Sequence, residues 1–175
     1  RSFSHQTNLY SDTAWYFLTI GGNGARIGTL PASGIPNTTI TDFDDHYFHE
    51  LDSVNFLSSG KAWLEEEFSD IPGHSNARHF RLSFPGAGGR SARLKYRVLA
   101  RSIGTASHFS LTLNGSSLPS LEVPPVANGN YDVFVRSAEA DIPFIPFDSV
   151  VDINLQYSPG SYNSQGWLDW LEVFT

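Results

Sequence analysis

Ligand-type side chains gather at Asp42, Asp44, Asp45 and Glu50, interleaved with His46 and His49. Carboxylates at alternate positions supply the hard oxygen donors that calcium accepts in loose geometry, so Asp42, Asp44 and Asp45 are candidate calcium ligands. The spacing is not that of an EF-hand loop, and a solvated or hydrogen-bonded strand end is the plainer account. His46-x-x-His49 lacks the glutamate of a helical zinc-protease site, and a strand would not present the pair as a helix does. No cofactor other than calcium is expected.

Three other segments invite chemistry. Gly21-Gly22-Asn23-Gly24-Ala25-Arg26-Ile27-Gly28 resembles a phosphate loop, but Ile27 stands where the third glycine belongs and no helical pattern follows. Without a helix N-terminus to receive a phosphate, the segment reads as a hairpin loop. Gly73-His74-Ser75-Asn76-Ala77 has half of a nucleophile elbow, but Ala77 replaces the second glycine and a strand follows where a helix is required. Arg93, Lys95, Arg97 and Arg101 form a cationic row that reads as the wet face of a strand paired across to acids, or else as a grip on an acidic partner.

Around the end of the chain, Tyr157, Tyr162, Trp167 and Trp170 form a platform for sugar rings if exposed and core if buried, burial being the commoner case. Asp169, between Leu168 and Trp170, needs partners if it is buried, such as the backbone amides of a pinned loop. Asn37-Thr38-Thr39 and Asn114-Gly115-Ser116 have the glycosylation spacing, and the second reads more simply as a turn.

The elements that position these residues are strands. Phe80, Leu82 and Phe84 alternate with polar neighbours, as do Leu94, Tyr96, Val98 and Ala100; Phe109, Leu111 and Leu113; and Val151, Ile153, Leu155 and Tyr157. Such period-two runs mark antiparallel strands with one buried face. Thr13 to Ile20, Thr38 to Phe43 and Gly166 to Phe174 read as further strands. Breaks fall at Pro85-Gly86-Ala87-Gly88-Gly89, at Asn114-Gly115, a strong hairpin signal, at Asn128-Gly129-Asn130 and at Pro159-Gly160-Ser161. Glu50 to Leu57 and Trp63 to Phe68 are the stretches that suit a turn or two of helix. The expected fold is all-β: an antiparallel β-sandwich of eight to ten strands, of jelly-roll or galactose-binding-like type, with one or two very short helices.

Composition agrees. The 175 residues suit a single domain over 1–175, with 14% aromatics, 17% charged residues, 15 Gly and 10 Pro. With no Cys, disulfides, thiolate metal sites and a cysteine nucleophile are excluded within the chain. A net charge of −7 argues against nucleic acid as a partner. No apolar run approaches the ~20 residues that span a bilayer. The start at Arg1, without a signal-peptide pattern, reads as a segment of a longer precursor, and a processed mature end would look the same.

Five blocks carry a resemblance. Asn8-Leu9-Tyr10-Ser11-Asp12, Trp15-Tyr16-Phe17-Leu18-Thr19 with Arg26-Ile27, Phe43 to Asn55, Ser58 to Phe68, and Gly166-Trp167-Leu168-Asp169-Trp170-Leu171-Glu172-Val173 together resemble the region ahead of the peptidase domain in the PorU family. These are gingipain-like surface peptidases of the type IX secretion system of Bacteroidetes. Lys61 stands where the family has Arg, and Glu65 where Gly is common.

The resemblance implies a parent with a His/Cys peptidase domain downstream, on the outer surface of a Gram-negative bacterium. Such proteins remove the C-terminal sorting signal from secreted cargo and attach the cargo to lipopolysaccharide. No catalytic residue of that kind can be placed on this chain, which is then a non-catalytic accessory domain. Its expected partners are the downstream peptidase domain, secretion components or cargo. The contact falls in the two charged, aromatic blocks, with His46, His49, Asp52, Lys61, Trp63 and Glu66 as its residues. The alternative is a jelly-roll carbohydrate-binding module with a structural calcium, since the closing strand also resembles those of galactose-binding-like domains.

Overall fold

Each alternating run of the sequence is a strand in the computed structural model, which describes residues 17, 18, 20, 21, 28, 34, 43–51, 55, 63–127, 129 and 131–175. Among these residues the strands are β1 (His46–Glu50), β2 (Glu65–Phe68), β3 (Ala77–Ser83), β4 (Ala92–Arg101), β5 (Ser107–Leu113), β6 (Ser116–Ser117), β7 (Leu121–Val123), β8 (Arg136–Phe144), β9 (Val150–Ser158) and β10 (Gln165–Phe174). They form two antiparallel sheets.

The first sheet runs β1-β10-β4-β8, with β2 also on β10. β1 pairs with Trp170 to Phe174 and β2 with Gly166 to Leu168, so two short strands share one edge of β10. The second sheet runs β3-β9-β5-β6, with β7 also on β5.

Each sheet turns its apolar positions inward. Leu94, Tyr96, Val98, Leu171 and Val173 from the first meet Phe109, Leu111, Val151, Ile153, Leu155 and Tyr157 from the second in one cluster. Burying each such side chain contributes about 1.5–3 kcal/mol. Phe109 anchors the middle, edge-on to Phe68 at 5.4 Å and tilted against Tyr157 at 5.0 Å. Gly166 lies directly against this pair: a Cβ there would come within 2.8 Å of Phe109 and of Tyr157. At the β5–β6 hairpin, Asn114 and Gly115 both take positive φ, 48° and 78°, as the two-residue turn requires.

Among the described residues there is no helix. Trp63 to Phe68 is a correction. Leu64 and Phe68 are four apart with three good helix formers between them, which mimics one helical turn. Pairing with β10 overrides that propensity and makes Glu65–Phe68 a strand. Leu64 then packs with Leu99 and Trp167, away from Phe68 in the main core. Glu50 closes β1. Most of the second helical stretch lies outside the described residues, as do most of the strand expected at Thr13 to Ile20, nearly all of that at Thr38 to Phe43, most of the Gly21–Gly28 loop, and Asn128 and Asn130 of one turn.

Candidate functional site

The register of β10 slips on both of its sides. Toward β4, Leu168 faces Val98 and Trp170 faces Arg97, so Asp169 is the extra residue. Toward β2, Trp167 faces Glu67 and Leu168 faces Glu65, so Glu66 is the extra one. Such bulges interrupt the ladder and re-aim a side chain. Glu66 takes φ 54°, a left-handed conformation unfavourable for a residue with a Cβ.

The Glu66 side chain lies between the two sheets. Its Oε1 is 3.3 Å from His49 Nε2 on β1, and its Oε2 is 4.0 Å from Arg78 Nε on β3. His49 and Arg78 both occupy inward positions, opposite Leu171 and Leu155. They stand at the open side of the sandwich, where β1 and β2 of one sheet approach β3 of the other. Arg78 covers the Phe68 ring at 5.0 Å and donates to the Glu67 carbonyl at 2.6 Å. The His49 ring meets Phe80 edge-on at 5.0 Å. All three polar side chains are largely buried, at 17% exposure for His49, 19% for Glu66 and 27% for Arg78. The neighbouring Glu67 accepts from Gln165 Nε2 at 2.8 Å and lies 3.9 Å from His74.

Of the residues expected to make contacts, His49 and Glu66 are brought together. Trp63 is half-buried just ahead of β2. His46 lies at the other end of β1, stacked on Phe174 at 4.6 Å. There Asp44, Asp45, His46, Ser91, Arg93, Pro143, Phe174 and Thr175 line an open cleft of about 360 Å³. Asp45 Oδ1 accepts from the His46 amide at 2.8 Å. Asp42, Asp52 and Lys61 lie outside the described residues. Among the described residues no three His, Asp or Glu side chains converge as a metal site.

Sequence reasoning missed Arg78. The signal was the alternation itself: carried back two places from Phe80, it puts an arginine on the inward face, where a charge requires a partner.

Arg93, Lys95 and Arg97 of the cationic row are paired with acids, and Arg101 donates to the Phe134 carbonyl at 2.9 Å. Arg93 and Lys95 reach Asp141 at 2.5 and 3.8 Å, and Arg97 reaches Glu139 at 3.5 Å and Asp169 at 3.3 Å. The hydrogen bond and charge of Asp141 raise the Arg93 pKa. Asp169 therefore meets a side chain, and it marks a bulge within a strand. The Ser75 hydroxyl donates to the Ala77 carbonyl at 2.9 Å and accepts from its amide, closing a turn ahead of β3. Trp167 and Tyr157 are core, Trp170 is half-buried, and Tyr162 is exposed. Burial pushes the Tyr96 phenol up to about 12. It raises Tyr157 as well, against the opposing hydrogen bond from Ser107.

These features define the class: an all-β, two-sheet antiparallel sandwich of jelly-roll type. No family model matches the sequence, and no characterised protein matches it at a significant level. Among solved structures the fold is similar to part of dimeric latent PorU from Porphyromonas gingivalis, with TM-score 0.58 and 21% identity. That likeness covers 75% of this chain and only 12% of that one. Weaker likenesses are to the CBM36-1 domain of a multidomain xylanase from the hindgut metagenome of Trinervitermes trinervoides (TM-score 0.39, 11% identity, 74% of this chain and 96% of that one) and to a carbohydrate-binding module CBM36 in complex with calcium and xylotriose (TM-score 0.36, 12% identity, 74% and 98%). At these identities the likeness is one of fold.

Proposed function

We propose that this chain is a non-catalytic accessory domain of a longer, PorU-like cell-surface peptidase that trims C-terminal sorting signals from secreted cargo. The observation that carries the reading is the likeness to PorU, which takes in 75% of this chain and 12% of the longer one. The five sequence blocks support it from the other direction, because they run in family order along almost the whole chain. The chain has no Cys, so a cysteine nucleophile has to come from elsewhere in the parent.

In this reading the domain docks on the downstream peptidase domain, or contacts cargo or other secretion components, on the outer face of the cell. Its contact residues are those of the two charged blocks: His46, His49, Asp52, Lys61, Trp63 and Glu66. Glu66 has the strongest claim, because a glycine would hold the bulge without strain and strained residues gather where they serve a function.

The test is excision of residues 1–175 from the longer protein. Cargo should keep its sorting signal, or the peptidase domain should lose stability. Normal maturation without the segment defeats the reading. Titration of the chain with xylo-oligosaccharides, with and without a chelator, tests the carbohydrate-module alternative in parallel, and saturable, calcium-dependent binding would favour it. Asp42, Asp44 and Asp45 would then be the ligands to substitute first.

A further inference from the structure

We propose that the end of the sandwich carrying Ile145 and Phe147 is the surface on which the domain docks against the polypeptide that follows Thr175. The proposal rests on the reading above, that this chain is part of a longer protein, and deepens it by assigning the docking face.

Three observations meet at this end. First, Ile145 is 69% exposed and Phe147 94%, in the β8–β9 loop, and Phe43 is 67% exposed just ahead of β1. Second, the loop that presents them is clamped. The Gly89 amide donates to the Pro146 carbonyl at 2.8 Å, and the Phe84 amide to the Ser149 carbonyl at 2.7 Å. Asp148 Oδ1 accepts from the Val150 amide at 2.7 Å. A clamped backbone has little freedom left to lose on binding, which favours the aromatic it presents as an interface anchor. Third, Thr175 lies at this end. The Thr175 and Asp45 backbones exchange hydrogen bonds at 3.0 and 3.1 Å, and Thr175 lines the cleft with Pro143 and Arg93. Phe174 pairs with Arg93, and Arg93 with Pro143, so the exit lies two strand spacings, roughly 10 Å, from the start of the exposed loop. In the reading above, the peptidase domain that follows Thr175 emerges near these apolar side chains. The opposite end also exposes aromatics, Tyr131 and Tyr162. They lie on loops remote from the exit and serve as the internal control.

The experiment is limited proteolysis of the longer protein across the junction after Thr175, comparing wild type with Phe147→Asp, Phe147→Ser, Ile145→Asp and the control Tyr162→Asp. Docking protects the junction, so the loop variants should be cleaved about tenfold faster while the control stays near wild type, since cleavage tracks the open population. Equal cleavage of all variants and wild type overturns the proposal. So does faster cleavage of loop and control variants alike, which would report general destabilisation. Dissociation of a dimer by Phe147→Ser with an unchanged junction overturns it too, by assigning the loop to a second copy. A parent that matures cargo normally without residues 1–175 defeats the underlying reading instead, whatever the proteolysis gives.

Discussion

Two bulges flank β10, each with an acid at the slip and an arginine to receive it. Asp169 meets Arg97 on the outer face of the first sheet at 3.3 Å. Glu66 meets Arg78 at the mouth between the sheets at 4.0 Å, with His49 on its other oxygen. Only Glu66 adopts a positive φ. The difference teaches what each bulge is for. Asp169 lets β10 put Leu168 and Leu171, three apart, on the same inner face, while its ion pair stays within one sheet. Glu66 ties β1 and β2 to β3 across the sandwich and holds a strained backbone to do it. The first is a solution to packing, whereas the second joins two sheets at the edge nearest the proposed contact blocks.

The inside of β4 supplies the largest expected effect and sets the scale for both bulges. Tyr96 lies between Lys95 and Arg97 on β4, turned into the core with its folded pKa near 12 against 10.0. Above pH 10 the unfolded phenol releases its proton while the folded one keeps it, so the unfolded state binds fewer protons and rising pH favours it. The contribution, about 3 kcal/mol, is present below pH 10 and is lost as pH rises to 12. Denaturant titrations from pH 9 to 12 should show that fall, and Tyr96→Phe should flatten it. An unchanged profile in Tyr96→Phe would remove Tyr96 as the cause.

Arg78→Ala should cost about 2–3 kcal/mol, because it strips a backbone carbonyl, an aromatic face and a half-buried carboxylate at once. Arg97→Ala should cost less, about 1 kcal/mol, since Arg97 is 38% exposed and its second partner Glu139 62%, although Asp169 is 14% exposed. Equal losses would erase the distinction between the bulges.

Glycine at each bulge sharpens it further. Asp169→Gly should lower stability by about 1 kcal/mol. Glu66→Gly relieves the left-handed strain and offsets part of the lost pairing, so its net change should be smaller, within about 0.5 kcal/mol of wild type. If Glu66 is kept for contact, Glu66→Gly in the longer protein should still slow cargo maturation, and unimpaired maturation would make the bulge purely structural. The smallest effect is expected of Asp141→Asn, whose partner Arg93 is open to solvent. Its unfolding midpoint should match wild type at low and high salt alike.

Much of this was legible in the residues. Period-two runs marked β3, β4, β5 and β9 with their inward faces, because a strand exposes its pattern locally. Asn114-Gly115 marked its hairpin for the same reason. β2 was misread as helical, since three glutamates between Leu64 and Phe68 obey local propensity until β10 offers a partner. His49 and Glu66 were singled out separately, through a resemblance, and nothing in their spacing joins them to Arg78.

Alternation and turn chemistry by themselves determined an all-β sandwich and much of its core, because both act between neighbours in the chain. Register did not follow from them. The slips at Glu66 and Asp169, the meeting of His49 and Arg78 at Glu66 across the sheets, and the placing of Thr175 at the same end as Ile145 and Phe147 depend on which strands pair and where. Those pairings join residues far apart in sequence, so only the folded chain could decide them.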